Sequence, residues 1–230
     1  MKRFFCIFLI GIVLASLTAC TDDRSPTDYM LTSCTRDYVD EFVAIIGDVE
    51  AGGLSSGTKL DREYCYNVTP QAVALLTDIK IFKFSDSCAS FALIDGKVYS
   101  ICESFGGYGF VNAVPWDYDK DGNLDLLVSS SWGSGLHRSI ISIFNTQTKE
   151  SIVVYDTSTT DNPSVDLFVA SVSPSFSSKD PAALPIYYEV YSANIKVNNN
   201  NFADLSYVST GVVGSIVVEN EVPVFKPMSD

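Results

Sequence analysis

The sequence has few basic residues and a single histidine. Its 230 residues carry 15 lysines and arginines against 28 acids, so that the formal net charge is −13. A chain this acidic is not expected to bind nucleic acid or anionic lipid through charge. One histidine and the lack of a C-x-x-C pair also argue against the usual zinc sites. A Ser-His-Asp arrangement would have to use His137, which we expect instead to hydrogen-bond the backbone in a turn.

Apolar runs long enough to span a bilayer are also missing. The run from Phe4 to Leu17 has about 14 residues, which is short for a hydrocarbon core of about 30 Å. Lys2 and Arg3 precede it, as in a signal peptide. The run ends at Leu17-Thr18-Ala19-Cys20, which resembles the lipobox of bacterial lipoproteins. The alternative is an ordinary signal peptide in which Cys20 is incidental.

The lipobox resemblance implies a particular processing and location. It implies cleavage before Cys20, acylation of that cysteine, and anchoring of an exported protein in the cell envelope, stable because several acyl chains insert. Thr21 rather than Asp follows Cys20, so the resemblance implies the outer membrane if the cell is Gram-negative. We therefore divide the chain into a signal peptide (1–19), the lipidated cysteine with a polar tether (20–33) and a single domain (34–230).

Cysteine is scarce in the mature domain. Cys6 is lost with the signal peptide and Cys20 is lipidated, which leaves Cys34, Cys65, Cys88 and Cys102. In an oxidising compartment four cysteines suggest two disulfides, with three possible pairings. Proximity favours Cys34–Cys65 and Cys88–Cys102. A hairpin at Asp95-Gly96 complicates the second pair, because a strict two-residue turn places Cys102 opposite Ala89.

Most of the domain has the pattern of strands. Two short helices are predicted near the N-terminus, at 37–50 and 70–76, by helical apolar spacing and by Thr69-Pro70. Strands are predicted at 79–84, 89–94, 97–102, 110–114, 124–130, 139–144, 151–155, 167–173, 186–197, 202–210, 212–219 and 222–225. The fold class is therefore mainly β, with antiparallel sheets arranged as a sandwich or as the blades of a partial β-propeller.

One stretch predicts a specific chemistry. Residues 117–125, DYDKDGNLD, read D-x-D-x-D-G-x-x-D. Oxygen ligands spaced in this way on a tight loop suit Ca²⁺, which takes six to eight of them. The predicted ligands are the carboxylates of Asp117, Asp119, Asp121 and Asp125 and the main-chain carbonyl of Asn123. The alternative is an acidic surface turn without a metal, since Asp, Asn and Gly are common turn residues.

The context of the loop is not that of an EF-hand. An EF-hand needs a Glu at position twelve, which here is Val128, and a helix on each side. Pro115 and the Val- and Leu-rich flanks predict strands instead. Together with Phe105-Gly106-Gly107 and Gly133-Ser134-Gly135, residues 105–155 resemble one FG-GAP repeat of VCBS-like exported proteins. The resemblance implies a four-stranded blade with the same calcium ligands, although only one repeat is found here.

The sequence leaves the function open among three hypotheses. Residues 132–139 also resemble uncharacterised bacterial lipoproteins, which implies no activity. The leading hypothesis is a non-enzymatic binding or adhesion module with a structural calcium ion, taking a protein or carbohydrate ligand through the loops near 132–137. Four aromatic residues are expected to cluster near the ion loop, either as an exposed platform for a sugar or peptide or as part of the core: Trp116, Trp132, Tyr108 and Phe110. The alternatives are an exported hydrolase of envelope glycans or peptides, and an accessory protein or inhibitor with a protein partner.

Overall fold

The computed structural model describes residues 36–47, 60–102, 105–172 and 187–228. These residues form twelve strands in three antiparallel sheets of four, together with two α-helices. The predicted mainly-β class and the two short N-terminal helices are therefore confirmed. The predicted signal peptide, Cys20, the tether and Cys34 lie outside the described residues. None of the helices in the described part of the chain is long and apolar enough to cross a bilayer.

Each sheet is built from strands that follow one another along the chain. Sheet 1 consists of β1 (Cys65–Asn67), β2 (Lys80–Phe84), β3 (Ser90–Ile94) and β4 (Lys97–Ser100). Sheet 2 consists of β5 (Gly109–Trp116), β6 (Asp125–Trp132), β7 (Arg138–Phe144) and β8 (Ser151–Asp156). Sheet 3 consists of β9 (Asp166–Val172), β10 (Tyr187–Val197), β11 (Leu205–Glu219) and β12 (Val222–Pro227). The helices are α1 (Arg36–Gly47) and α2 (Gln71–Leu76).

The three sheets pack face to face, with sheet 2 in the middle. Leu126 and Val128 of β6 pack on residues of sheet 1, whereas Leu127 packs on sheet 3. Both faces of β5 and β6 are therefore buried, which explains their nearly continuous apolar character. The outer face of sheet 1 is covered by α1, where Phe42 stacks on Phe82 with ring centroids 4.3 Å apart.

The strands of sheet 2 agree closely with those predicted for residues 105–155. The ladder between β5 and β6 runs from Gly109↔Ser131 to Trp116↔Asp125, and β7 and β8 extend the sheet in order. In sheet 3 the prediction differs from the structure. Residues 202–210 and 212–219 are predicted as two strands, but Leu205–Glu219 is one long strand whose pairing with β10 is interrupted by two register shifts near Gly211.

The register of the β3–β4 hairpin bears on the predicted Cys88–Cys102 disulfide. Ile94 pairs with Lys97 across a strict two-residue turn at Asp95-Gly96, and this register continues with Cys102 opposite Ala89 rather than Cys88. No disulfide is found among the described residues, and the Cys88–Cys102 pairing stays a prediction that this register does not favour. The Cys34–Cys65 pairing stays a prediction, because Cys34 lies outside the described residues.

Candidate metal centre

The predicted ion loop connects two adjacent strands of the middle sheet. Trp116 and Asp125 form the last pair of the β5–β6 ladder, and residues 117–124 make the turn between them. The loop thus joins two strands, as predicted, and both strands are buried on both faces. Because paired residues of antiparallel strands project to the same face, Trp116 and Asp125 share the face that packs on sheet 3.

Three carboxylates of the loop converge. Asp117, Asp119 and Asp121 each offer an oxygen, and these oxygens lie within 4.8 Å of one another. Asp119 and Asp121 are exposed, whereas Asp117 is half-buried. Three like charges this close raise the energy of the ionised state unless a cation or protons compensate them. The arrangement therefore offers a cation a ready set of oxygen ligands on the solvent side of the loop.

Backbone hydrogen bonds to the same carboxylates give the loop its shape. Asp119 Oδ1 accepts from the backbone N–H of Asp121 at 3.2 Å, and Asp121 Oδ1 accepts from that of Asn123 at 2.7 Å. Asp117 Oδ2 accepts from the N–H of Gly122 at 3.2 Å. Gly122 has φ +88, in the left-handed region that glycine adopts without strain. Hydrogen bonds from the Asn123 side chain and backbone lower the pKa of Asp121, which favours its ionised form.

Asp125 is the most deeply buried acid of the motif, at 1% exposure. Its Oδ1 accepts hydrogen bonds from the backbone N–H of Thr146 at 2.7 Å and from the Thr146 hydroxyl at 3.2 Å. Its Oδ2 is buried and has no hydrogen-bond partner. Burial raises the pKa of Asp125, and the negative charges of Asp119 and Asp121 raise it further. Asp125 Oδ2 is therefore a buried acceptor that receives no hydrogen bond and lies within electrostatic range of Asp119 and Asp121.

A second carboxylate oxygen shares this condition. Asp117 Oδ1 is also buried without a hydrogen-bond partner. Unpaired buried polar atoms are rare in native proteins, and each one calls for an explanation such as a bound ion. A hard cation bound by the carboxylates of Asp117 and Asp125 would satisfy these oxygens, since it binds carboxylate oxygens directly.

The structure thus brings together most of the predicted ligands. Asp117, Asp119 and Asp121 form the cluster, and Asp125 lies within electrostatic range of Asp119 and Asp121. The Asn123 carbonyl stays a predicted ligand; the contacts seen for this residue are its two donations to Asp121. Sequence reasoning missed Thr146, which lies 21 residues from Asp125 on the β7–β8 turn and has no local signal of its role.

The predicted aromatic cluster beside the loop is wrong in most of its members. Tyr108 and Trp132 lie at the opposite end of the β5–β6 hairpin, and Phe110 is buried at 3% exposure. Trp116 does lie beside the loop, where its ring centroid is 4.5 Å from that of Tyr188 and 6.1 Å from that of Tyr118. Tyr188, which sequence reasoning also missed, comes from sheet 3.

His137 lies at the far end of sheet 2 from the ion loop. Its ring meets the edge of Tyr108 at a centroid distance of 4.5 Å, and the Tyr108 hydroxyl donates to the carbonyl of Ile195 at 3.3 Å. Burial raises the pKa of Asp166 to about 6, while the charge of His137 and a backbone hydrogen bond at Ile195 act in the opposite direction. His137, Tyr108 and Asp166 therefore connect sheets 2 and 3, whereas the sequence predicts for His137 only a hydrogen bond within a turn.

This pKa predicts a pH dependence of stability. The pKa of Asp166 is higher in the folded state than in the unfolded state. Its contribution to the free energy of unfolding is therefore fully present below about pH 4 and is lost as the pH rises through about 6. We expect Asp166→Asn to remove part of this loss, on the order of 1 kcal/mol after allowance for solvent screening of a half-buried group. Urea denaturation across this range measures it, with exposed Asp161→Asn as control. An unchanged pH slope in Asp166→Asn would contradict the assignment.

Comparison of the chain with protein-family models, with curated proteins and with solved structures finds no match. The function must therefore be inferred from the residues and geometry of this chain.

Proposed function

We propose that this chain is an exported, lipid-anchored protein of the cell envelope whose Asp117–Asp125 loop binds one calcium ion, and that it acts as a non-enzymatic binding module. The observation that carries the calcium proposal is the pair of buried, unpartnered carboxylate oxygens, Asp117 Oδ1 and Asp125 Oδ2, beside the cluster at Asp119 and Asp121. The lipobox at Cys20 supports the anchoring.

The donor set favours calcium over other cations. The candidate ligands are all oxygens, which suits Ca²⁺ and Mg²⁺ and disfavours the softer metals that prefer nitrogen or sulfur. Mg²⁺ requires nearly ideal octahedral geometry at about 2.0–2.1 Å and keeps much of its water. An irregular turn with four nearby carboxylates suits the larger and more tolerant Ca²⁺ better.

In this proposal the ion has a structural role at one end of sheet 2. Asp125 uses Oδ1 to hold the β7–β8 turn through Thr146 and keeps Oδ2 for the ion. The Thr146 hydroxyl also donates to the carbonyl of Leu124 at 3.0 Å. Calcium would therefore hold together the two turns at this end of the sheet, the β5–β6 turn directly and the β7–β8 turn through Asp125.

No observation in the described residues favours the hydrolase alternative. The sole histidine faces Tyr108 and Asp166. Ser131 is fully buried. The Ser139 hydroxyl donates to the carbonyl of Val165 and accepts from the backbone N–H of Leu167. A G-x-S-x-G spacing occurs at residues 53–57, outside the described residues.

The anchoring predicts a simple fractionation result. With Cys20 intact, the protein is expected in the membrane fraction and to incorporate labelled fatty acid. Cys20→Ala is expected to remove the label and to shift the protein out of that fraction. Cys6→Ala is the matched control, since that residue lies within the proposed signal peptide and should change neither property. Labelling that persists in Cys20→Ala would overturn the lipidation.

Elemental analysis tests the calcium proposal. Protein dialysed against calcium and then against calcium-free buffer is expected to retain about one calcium per chain. A double variant, Asp119→Asn with Asp121→Asn, is expected to retain little, because it keeps the loop's size but removes two of the converging charges. Equal, negligible calcium in both proteins would contradict the proposal.

A further inference from the structure

The proposed calcium ion would face solvent on one side. Asp119 and Asp121 are exposed, whereas Asp125 approaches from the buried side at 1% exposure. Calcium takes six to eight oxygen ligands. The loop offers four carboxylates and the Asn123 carbonyl, which give five oxygens if each carboxylate binds through one oxygen. At least one position would then be left for water or for an oxygen of an external ligand.

Local charge selects the chemistry of that ligand. The four carboxylates of the loop exceed the combined charge of Lys120 and a calcium ion by one negative unit, and the whole chain is strongly acidic with a formal net charge of −13. An anionic ligand such as a carboxylate or phosphate would be repelled by this field. A neutral ligand that presents hydroxyl oxygens would bind the ion without that repulsion.

Aromatic rings lie next to the ion loop. Trp116 and Tyr118 flank Asp117 in the chain, and both keep part of their surface exposed. Trp116 rests against Tyr188, and this contact fixes the indole. Tyr188 also lies near the loop, since the charge of Asp117 adds to burial in raising the pKa of Tyr188 to about 12. Two partly exposed rings, Trp116 at the end of β5 and Tyr118 in the turn that follows it, provide apolar surface beside a polar contact, as ligand sites require.

We infer that this end of sheet 2 binds neutral saccharides, with neighbouring sugar hydroxyls on the calcium ion and a sugar face against Trp116 and Tyr118. The inference rests on the proposed calcium site. It also moves the binding surface from the predicted loop at residues 132–137 to the opposite end of the β5–β6 hairpin, where the acids and these rings lie together.

A glycan array tests this inference directly. The full-length chain, purified in a detergent without a sugar headgroup, is applied to immobilised neutral and uronate-containing oligosaccharides in calcium and again in EDTA. Calcium-dependent retention on neutral glycans, stronger than on acidic ones, is the expected result. Equal or stronger retention on acidic glycans would overturn it. Calcium uptake without retention on any glycan would overturn the saccharide inference alone, and absence of calcium uptake would overturn the calcium site as well.

A substitution separates the aromatic contact from the ion. Tyr118→Ala is expected to weaken glycan binding about tenfold, as loss of an aromatic contact does, with calcium affinity unchanged in a parallel titration. Tyr118→Phe keeps the ring and is expected to bind glycans like the unaltered chain. Equal glycan binding by all three proteins would remove the aromatic face from the site.

Discussion

Saturating calcium is expected to raise the melting temperature by roughly 5–10 °C. A ligand at about one hundred times its dissociation constant adds about 2.7 kcal/mol to the free energy of unfolding, and for a chain of this size each kcal/mol shifts the midpoint by about 2–4 °C. The physical cause is the relief of repulsion within the cluster at Asp117, Asp119 and Asp121, together with pairing of the two buried unpartnered oxygens.

Substitution of one acid of the cluster is expected to change the melting temperature in opposite directions without and with calcium. In EDTA, Asp119→Asn is expected to melt at or above the temperature of the unaltered protein, because one repulsive charge is gone. In calcium the order is expected to reverse, because the variant has lost a ligand. Differential scanning calorimetry in both buffers measures the crossing, with Asp161→Asn as a control outside the loop. Variants that stay in the same order in both buffers would contradict the account.

Lys83→Ala is expected to lower the free energy of unfolding by about 3–5 kcal/mol. The Lys83 side chain is 1% exposed, and its ammonium donates to the backbone carbonyls of Tyr108 at 2.6 Å and Phe110 at 3.1 Å. Burial lowers its pKa to about 8, partly offset by the nearby thiols of Cys88 and Cys102. The lysine thereby connects sheet 1 to the first strand of sheet 2, and alanine leaves a cavity and removes the ammonium donor from both carbonyls.

A second variant separates packing from hydrogen bonding at this position. Lys83→Met keeps most of the side-chain volume but not the donors, so its loss is expected to be smaller, about 1–3 kcal/mol. The exposed Lys97→Ala serves as the control and should change stability by less than about 0.5 kcal/mol. Urea denaturation of the four proteins gives the comparison. A Lys83→Ala variant as stable as Lys97→Ala would show that the buried ammonium contributes nothing.

The local features of this fold could be predicted from the sequence because they depend on neighbours along the chain. Each sheet is made of strands that follow one another along the chain, so a turn signal such as Asp95-Gly96 marks a hairpin in advance. The ion loop could be located for the same reason, since its backbone hydrogen bonds span five residues or fewer.

Features that depend on the stacking of sheets could not be predicted in this way. Lys83 lies in the segment Lys-Ile-Phe-Lys-Phe, where alternation places Lys80 and Lys83 on opposite faces of the strand. Nothing in that segment shows that sheet 2 covers the face that carries Lys83. Proximity in sequence also misled the aromatic prediction. Trp116 and Trp132 end two paired strands, one at each end of the hairpin, so that they lie far apart along it.

Isothermal titration of the purified protein with calcium, and separately with magnesium, tests the central claim most directly. Heat from a single class of sites is expected, with a stoichiometry of about one calcium per chain, much weaker binding of magnesium, and loss of the calcium signal in the Asp119→Asn, Asp121→Asn double variant. A calcium titration indistinguishable from dilution, or one unchanged in the double variant, would show that the Asp117–Asp125 loop is an acidic turn and not a calcium site.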